Sequence, residues 1–281
     1  MRILIVGNGL DELNGQPIST FTLAKELAKN NQVDVVVKNG RLTDNELKRG
    51  LEEVGVKCSY IWQEEYDLIL ASEWIPQVKG IKINIVRSEY ECETPLPNCD
   101  FYICIRPSIQ EHIVLEHKIP KEKTIVIYNG VDRERFKPIK KSEREHRKIV
   151  VPCTIDEIRE KFLNYLIDTA TKDNQVYIYG DNIWGIRLHK SPYAHINPPR
   201  YDIENIIADA DLVAGIHLGR VNIEANSCGI PSIIYNPKTL ESEYFLLDEE
   251  TFDKRHNIKN VVKDILELYE NICNNPTLHT N

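Results

Sequence analysis

The sequence predicts an α/β protein of two domains, each organised around a parallel sheet, and three observations carry that prediction. Short apolar runs of strand length alternate with segments of helical character along most of the chain, the pattern left by strand–helix–strand crossovers. The 281 residues exceed the commonest single-domain size and suit two domains of modest length. Residues 133–148 interleave lysines and arginines with glutamates and show no hydrophobic period, so residues 131–148 read as a linker between residues 1–130 and residues 149–281.

Composition narrows the function classes. A 42% hydrophobic content against 28% charged residues describes a globular core and excludes a disordered chain. A formal net charge of -8 argues against a general nucleic-acid binder but leaves room for a local basic phosphate site. The apolar run at residues 2–7 is too short for a secretory leader and lacks a cleavage pattern, so it reads as the first strand. No stretch approaches the roughly 18 apolar residues of a spanning helix, and a cytoplasmic protein is expected. Seven cysteines without a C-x-x-C pair are read as buried free thiols. Cys92 and Cys99 lack the matching histidines that a metal site would need.

Taken in order, residues 2–6 form a strand, a loop leads to a helix at 18–29, and residues 33–37 return as a parallel strand. Gly7-Asn8-Gly9 is only a partial dinucleotide fingerprint, because the third glycine is misplaced. A helical segment at 44–54 and short strands at 58–62, 67–71, 82–86 and 100–105 continue the pattern. Pro107 suits the first turn of a helix over 107–117, and residues 124–127 close the first sheet. Open sheets bind ligands at the carboxyl ends of their strands, which singles out Ser72, Glu73, Arg87, Ser88 and Glu89.

In the second half, a strand at 148–151 precedes a helix at 156–170 that Thr154 or Asp156 could cap. Strands follow at 175–179 and 193–196, then a helix at 201–208. Asp209-Ala210-Asp211 has the form of a D-x-D metal motif, but it directly precedes an apolar strand at 211–214, and a structural use is expected. Residues 215–236 then read as loop, helix and strand. Gly229 ends that helix, Pro231 prevents its continuation, and residues 232–235 form the next buried strand. Free amides at the helix start near Gly219 attract an anion, and Arg220 adds a planar donor fork suited to phosphate. Glu224, one turn further on the same face, can accept two hydroxyl hydrogen bonds from a ribose. Residues 258–272 carry Ile258, Val261, Val262, Ile265, Leu266, Tyr269 and Ile272 at the spacing of one helical face.

Glu224-Ala225-Asn226-Ser227-Cys228-Gly229-Ile230-Pro231 resembles the E-A-x-x-C-G-x-P signature of the group 1 glycosyltransferases (glycosyltransferase family 4). Tyr128-Asn129-Gly130-Val131-Asp132-Arg133-Glu134-Arg135-Phe136 resembles the N-G-V-D-x-x-x-F segment that joins the two domains in that family. The resemblance implies the GT-B fold, two Rossmann-like domains with parallel sheets facing a central cleft. Residues 1–130 would serve the acceptor and residues 149–281 the nucleotide sugar. It also implies a retaining transfer of a sugar from a nucleotide diphosphate sugar to a hydroxyl acceptor, with neither metal nor cofactor and with a glycan, lipid or small molecule as acceptor. Nucleic acid is not an expected partner, and peripheral membrane contact stays open.

Residue by residue, the resemblance places Gly15, in Asn14-Gly15-Gln16, in a loop that approaches the donor diphosphate. It makes Arg159 and Lys161 candidates for a basic group at that diphosphate, Ile196 and Asn197 candidates for the base, and His217 and Gly219 candidates in the donor loop. Lys161, Arg220 and Glu89 are the expected catalytic groups. Two departures stand out. Relatives carry histidine near Ser72 or Ser88, and none is present. Ile216 occupies the position of a second glutamate that normally contacts the transferred sugar. A catalytically idle nucleotide-sugar sensor or assembly subunit is therefore the alternative.

Overall fold

The computed structural model describes residues 1–12, 15–88, 94–182, 184–216 and 218–275. The chain divides into two compact units, one of residues 1–130 with 255–281 and the other of residues 131–254.

The first unit contains β1 (Arg2–Val6), α1 (Gly15–Leu27), β2 (Gln32–Val36), α2 (Glu46–Glu52), β3 (Lys57–Ser59), β4 (Glu65–Ala71), β5 (Lys79–Val86), β6 (Phe101–Cys104), α3 (Pro107–Leu115) and β7 (Thr124–Val126). The strands form one sheet in the order β3-β2-β1-β4-β5-β6-β7, with every neighbouring pair parallel. Ile3, Leu4, Ile5 and Val6 are all buried, as expected where both faces of a parallel sheet are covered. The strand expected at 58–62 stops at Ser59. There the Ser59 hydroxyl donates to the Ile61 carbonyl at 2.5 Å and turns the chain out of the sheet. Asn84 is fully buried and fully used. Its amide donates to the carbonyls of Ala71 and Ser72 at 3.0 and 2.9 Å and its oxygen accepts from Leu96 N–H at 3.0 Å, so it fixes the chain leaving β4.

The second unit contains β8 (Arg147–Pro152), α4 (Glu157–Thr169), β9 (Asn174–Tyr179), β10 (Ala194–Asn197), α5 (Ile203–Ala208), β11 (Leu212–Ile216), α6 (Arg220–Ser227), β12 (Ser232–Tyr235), β13 (Ser242–Phe245) and α7 (Glu249–His256), the last running into the first unit. The sheet order is β10-β9-β8-β11-β12-β13, parallel except for the β12–β13 pair. Alternate residues feed opposite faces. Val150 and Val213 join a core with Ile207, Ile223 and Ala225, while Val151 and Ala214 join one with Phe162, Leu163 and Ile178.

Two expected boundaries move. Val131 and Phe136, placed in the expected linker, are buried in the second unit's core, and the Phe136 carbonyl accepts a 2.5 Å bond from the Ser227 hydroxyl. That stretch therefore belongs to the unit and does not hang free of it. Helix α8 (Ile258–Asn274), expected with the second domain, belongs to the first unit and packs against α1. Its apolar face was legible in the spacing, but periodicity names no packing partner.

Candidate functional site

The second sheet places its parallel strands with their carboxyl ends along one edge. From β8 the chain steps outward to β9 and β10, then returns to the other side of β8 as β11. This reversal is the crevice where open sheets bind ligands. Two helix amino termini flank it, α4 after β8 and α6 after β11.

Gly219 is the N-cap of α6, in extended conformation at φ −105 and ψ 176. Its N–H donates to Asn222 Oδ1 at 3.2 Å, which fixes which way the Asn222 amide faces. The Nδ2 of Asn222 is buried and has no partner among the described residues, and the whole side chain is 1% exposed. A buried donor left open in this way calls for a partner. The helix ends as its sequence requires, with Gly229 at φ 71, where a side chain would be strained, and with Ile230 N–H donating to the Ala225 carbonyl at 2.8 Å.

Arg220 and Glu224 face each other one turn apart. Arg220 Nε lies 2.5 Å from Glu224 Oε1, and their side chains are 7% and 5% exposed. Burial pushes the Glu224 carboxyl above its ordinary value, and the Arg220 guanidinium opposes that shift. The carboxylate and guanidinium thus form a desolvated pair within the first two turns of the helix.

The other candidates separate. Arg159 sits in the first turn of α4, but its guanidinium is paired with the N-cap residue Asp156, whose Oδ1 accepts from Arg159 N–H at 2.9 Å. Lys161 is exposed and donates to the Lys238 carbonyl. Asn197 ends β10, where its amide donates to the Ile178 and His195 carbonyls at 3.3 and 3.2 Å and its own carbonyl accepts from Gly180 N–H at 3.1 Å. Gly15 opens α1 in the first unit and is exposed. Glu89, His217 and Asn14 lie outside the described residues, as does Cys92. Asn222 was missed by sequence reasoning, because α6 carries two asparagines among mostly polar residues and nothing in their spacing marked which one is buried.

Asp209 and Asp211 serve the fold. Asp209 pairs with Lys148 at 2.8 Å and with Arg144 at 3.1 Å, while Asp211 pairs with Arg144 at 2.9 Å and Lys141 at 3.3 Å. Burial alone would raise the Asp209 carboxyl, but Lys148 and the Ser142 N–H outweigh it and hold it well below its ordinary 3.8. A depressed carboxyl contributes stability that is present above the unfolded value and lost as pH falls toward the folded one. Asp209→Asn is expected to cost about 1.5–3 kcal/mol at pH 7 and to flatten the loss of stability below pH 3.8. Urea unfolding from pH 2 to 7 checks this, and an acid limb as steep as the wild type's would disprove it. The thiols of Cys153 and Cys228 are pushed up to about 12 by burial and stay protonated, so neither serves as a nucleophile.

No protein-family model and no curated protein sequence matches the chain. Solved structures do. Anabaena HepE in complex with UDP-glucose superposes with a TM-score of 0.72 at 15% identity, over 96% of this chain and 100% of that one. Sucrose-phosphate synthase from Thermosynechococcus elongatus superposes at 0.67 and 14% identity, over 98% and 99%. A glycosyltransferase from Rickettsia africae superposes at 0.61 and 13% identity, over 99% and 90%. At such identities the likeness establishes the fold, the two Rossmann-like α/β units of GT-B glycosyltransferases.

Proposed function

We propose that the chain is a retaining, metal-independent glycosyltransferase that moves a sugar from a nucleotide diphosphate sugar to a hydroxyl acceptor in the cytoplasm. The observation that carries this reading is α6. Its amino terminus, the buried Arg220–Glu224 pair and the open Asn222 amide all lie beside the strand-order reversal of the second sheet. Arg220 takes one oxygen of Glu224, and the carboxylate's second oxygen is suited to accept the ribose hydroxyls. The helix amides, Arg220 and Asn222 Nδ2 would then hold the diphosphate.

In the reaction, the bond between the anomeric carbon and the diphosphate oxygen breaks as the acceptor oxygen bonds that carbon on the same face. The acceptor proton passes to the leaving phosphate. Charge grows on the diphosphate as the bond breaks, so donors fixed around it stabilise the transition state more than the ground state. The named polar groups would stabilise that charge without an ion, and turnover is expected to survive EDTA. In this proposal the first unit receives the acceptor. Among the described residues no helix is long and apolar enough to cross a membrane.

The test is a panel of nucleotide diphosphate sugars, read by thermal stabilisation and by release of free nucleotide diphosphate. A cognate donor at a hundredfold its Kd stabilises by about 2.7 kcal/mol. No stabilisation by any member would end the proposal. Stabilisation without release, across diverse acceptors, would favour the idle binding subunit, a reading supported by Ile216 at the position where relatives keep a glutamate.

A further inference from the structure

We infer that Trp62, braced by Trp74 at the carboxyl edge of the first sheet, is a stacking platform for a neutral hexopyranose unit of the acceptor. The inference rests on the transferase reading for its role, but the site itself stands on separate observations.

The indoles of Trp62 and Trp74 meet edge to face, with centroids 6.2 Å apart and planes at 69°. Trp74 is anchored on both counts that matter. Its Nε1 donates to the Gly7 carbonyl at 2.9 Å, and its ring packs against the core formed by Leu4, Val6 and Ile69. Trp62 is held by that edge contact and remains 38% exposed, beside Ile61 at 76%. A half-covered indole, with only two side-chain torsions to fix, costs little conformational entropy when a ligand settles on it.

The surroundings select the ligand. Gly7, Lys38 and Glu73 follow β1, β2 and β4, which are adjacent in the sheet, so the polar groups around Trp74 lie along its carboxyl edge. Lys38 and Glu73 approach to 3.6 Å, and Arg41 is paired with Asp11 at 2.7 Å and Glu12 at 2.9 Å. Residues 61–65, Ile61-Trp62-Gln63-Glu64-Glu65, are exposed throughout. The C–H face of a pyranose suits the negative face of an indole, and carboxylates and amides nearby accept and donate to its hydroxyls. The exposed carboxylates of Glu64 and Glu65 disfavour an anionic sugar. They also disfavour an anionic lipid surface, which would repel them, and burial in any bilayer would desolvate them.

The experiment measures binding of maltose, cellobiose, lactose and chitobiose by saturation-transfer NMR and tryptophan fluorescence. It compares wild type, Trp62→Ala and Trp62→Phe, with nucleotide affinity and melting temperature recorded on the same samples. At least one sugar should bind the wild type. Trp62→Ala should weaken it about tenfold, in line with the loss of one aromatic contact, and Trp62→Phe should recover part. Melting and nucleotide affinity should not change. The inference is overturned if no sugar in the panel binds, if Trp62→Ala binds as well as wild type, or if Trp62 instead governs binding to phosphatidylglycerol vesicles. Sugar binding that depends on Trp62 in a protein that binds no nucleotide would remove the transferase reading and leave this site standing. Nucleotide binding without sugar binding would do the reverse.

Discussion

Arg220→Ala lowers the stability of the ligand-free protein by about 3–5 kcal/mol, because it leaves the Glu224 carboxylate buried without its partner. The cost depends on pH in a definite direction. Burial already holds the Glu224 carboxyl above its ordinary 4.5, and removing the guanidinium raises it further. A carboxyl whose folded value exceeds its unfolded one contributes stability that is complete below the unfolded value and lost as pH rises through the folded value. The variant should therefore be closest to wild type at pH 4.5 and furthest from it at pH 8. Urea unfolding across that range decides it, and a pH-independent difference would show that Glu224 is not the affected group. Replacing the pair together, Arg220→Met with Glu224→Leu, should recover most of the stability, since apolar side chains of similar volume need no desolvation. Nucleotide affinity should be lost in both variants. Wild-type affinity in either would remove Arg220 from the proposed diphosphate site and leave the pair a structural one.

Gly180→Ala is expected to destabilise the second unit by about 3 kcal/mol or more, at the upper end of what overpacking costs. A Cβ at that position would lie 1.6 Å from the Cys153 carbonyl oxygen. The obstacle is backbone, tied in place because the Cys153 N–H donates to the Tyr179 carbonyl at 3.0 Å. Room could come only from parting β8 and β9 at their carboxyl ends, where the proposed nucleotide site lies. Gly15→Ala is the control, because its added Cβ meets nothing within 4 Å among the described residues, and stability should stay within about 0.5 kcal/mol of wild type. Denaturant midpoints for both variants check the contrast. Equal stabilities would show that β8 and β9 part there at little cost.

The amino-acid sequence by itself determined the alternation of strands and helices, the parallel order it implies and the α6 motif with its ends. These follow from contacts between residues close in the chain, as when Gly229 adopts φ 71 just beyond the helix it terminates. It also set Arg220 and Glu224 four residues apart, which makes them neighbours on any helix. Elements without such local signals were not legible. Strand β13 is largely exposed and has no buried apolar face to betray it, and α7 is a charged helix without a clear stripe.

Only the tertiary structure decided what each legible feature is used for. The apolar face of α8 could have met any apolar surface, and packing against α1 settled it. The charge run before β8 could have been solvated, but Asp209 and Asp211 lie close enough to pair with its lysine and arginine. Whether Arg220 stood in water or turned onto Glu224 depended on burial, because desolvation makes a lone carboxylate costly and gives the pairing its strength. The open amide of Asn222 exists only because α6 packs it against β11, so closely that a Cβ added at Gly215 would lie 3.5 Å from its nitrogen. Spacing along a chain fixes which side chains share a face. What that face meets, and which polar groups are cut off from water when it does, depends on residues far away in sequence.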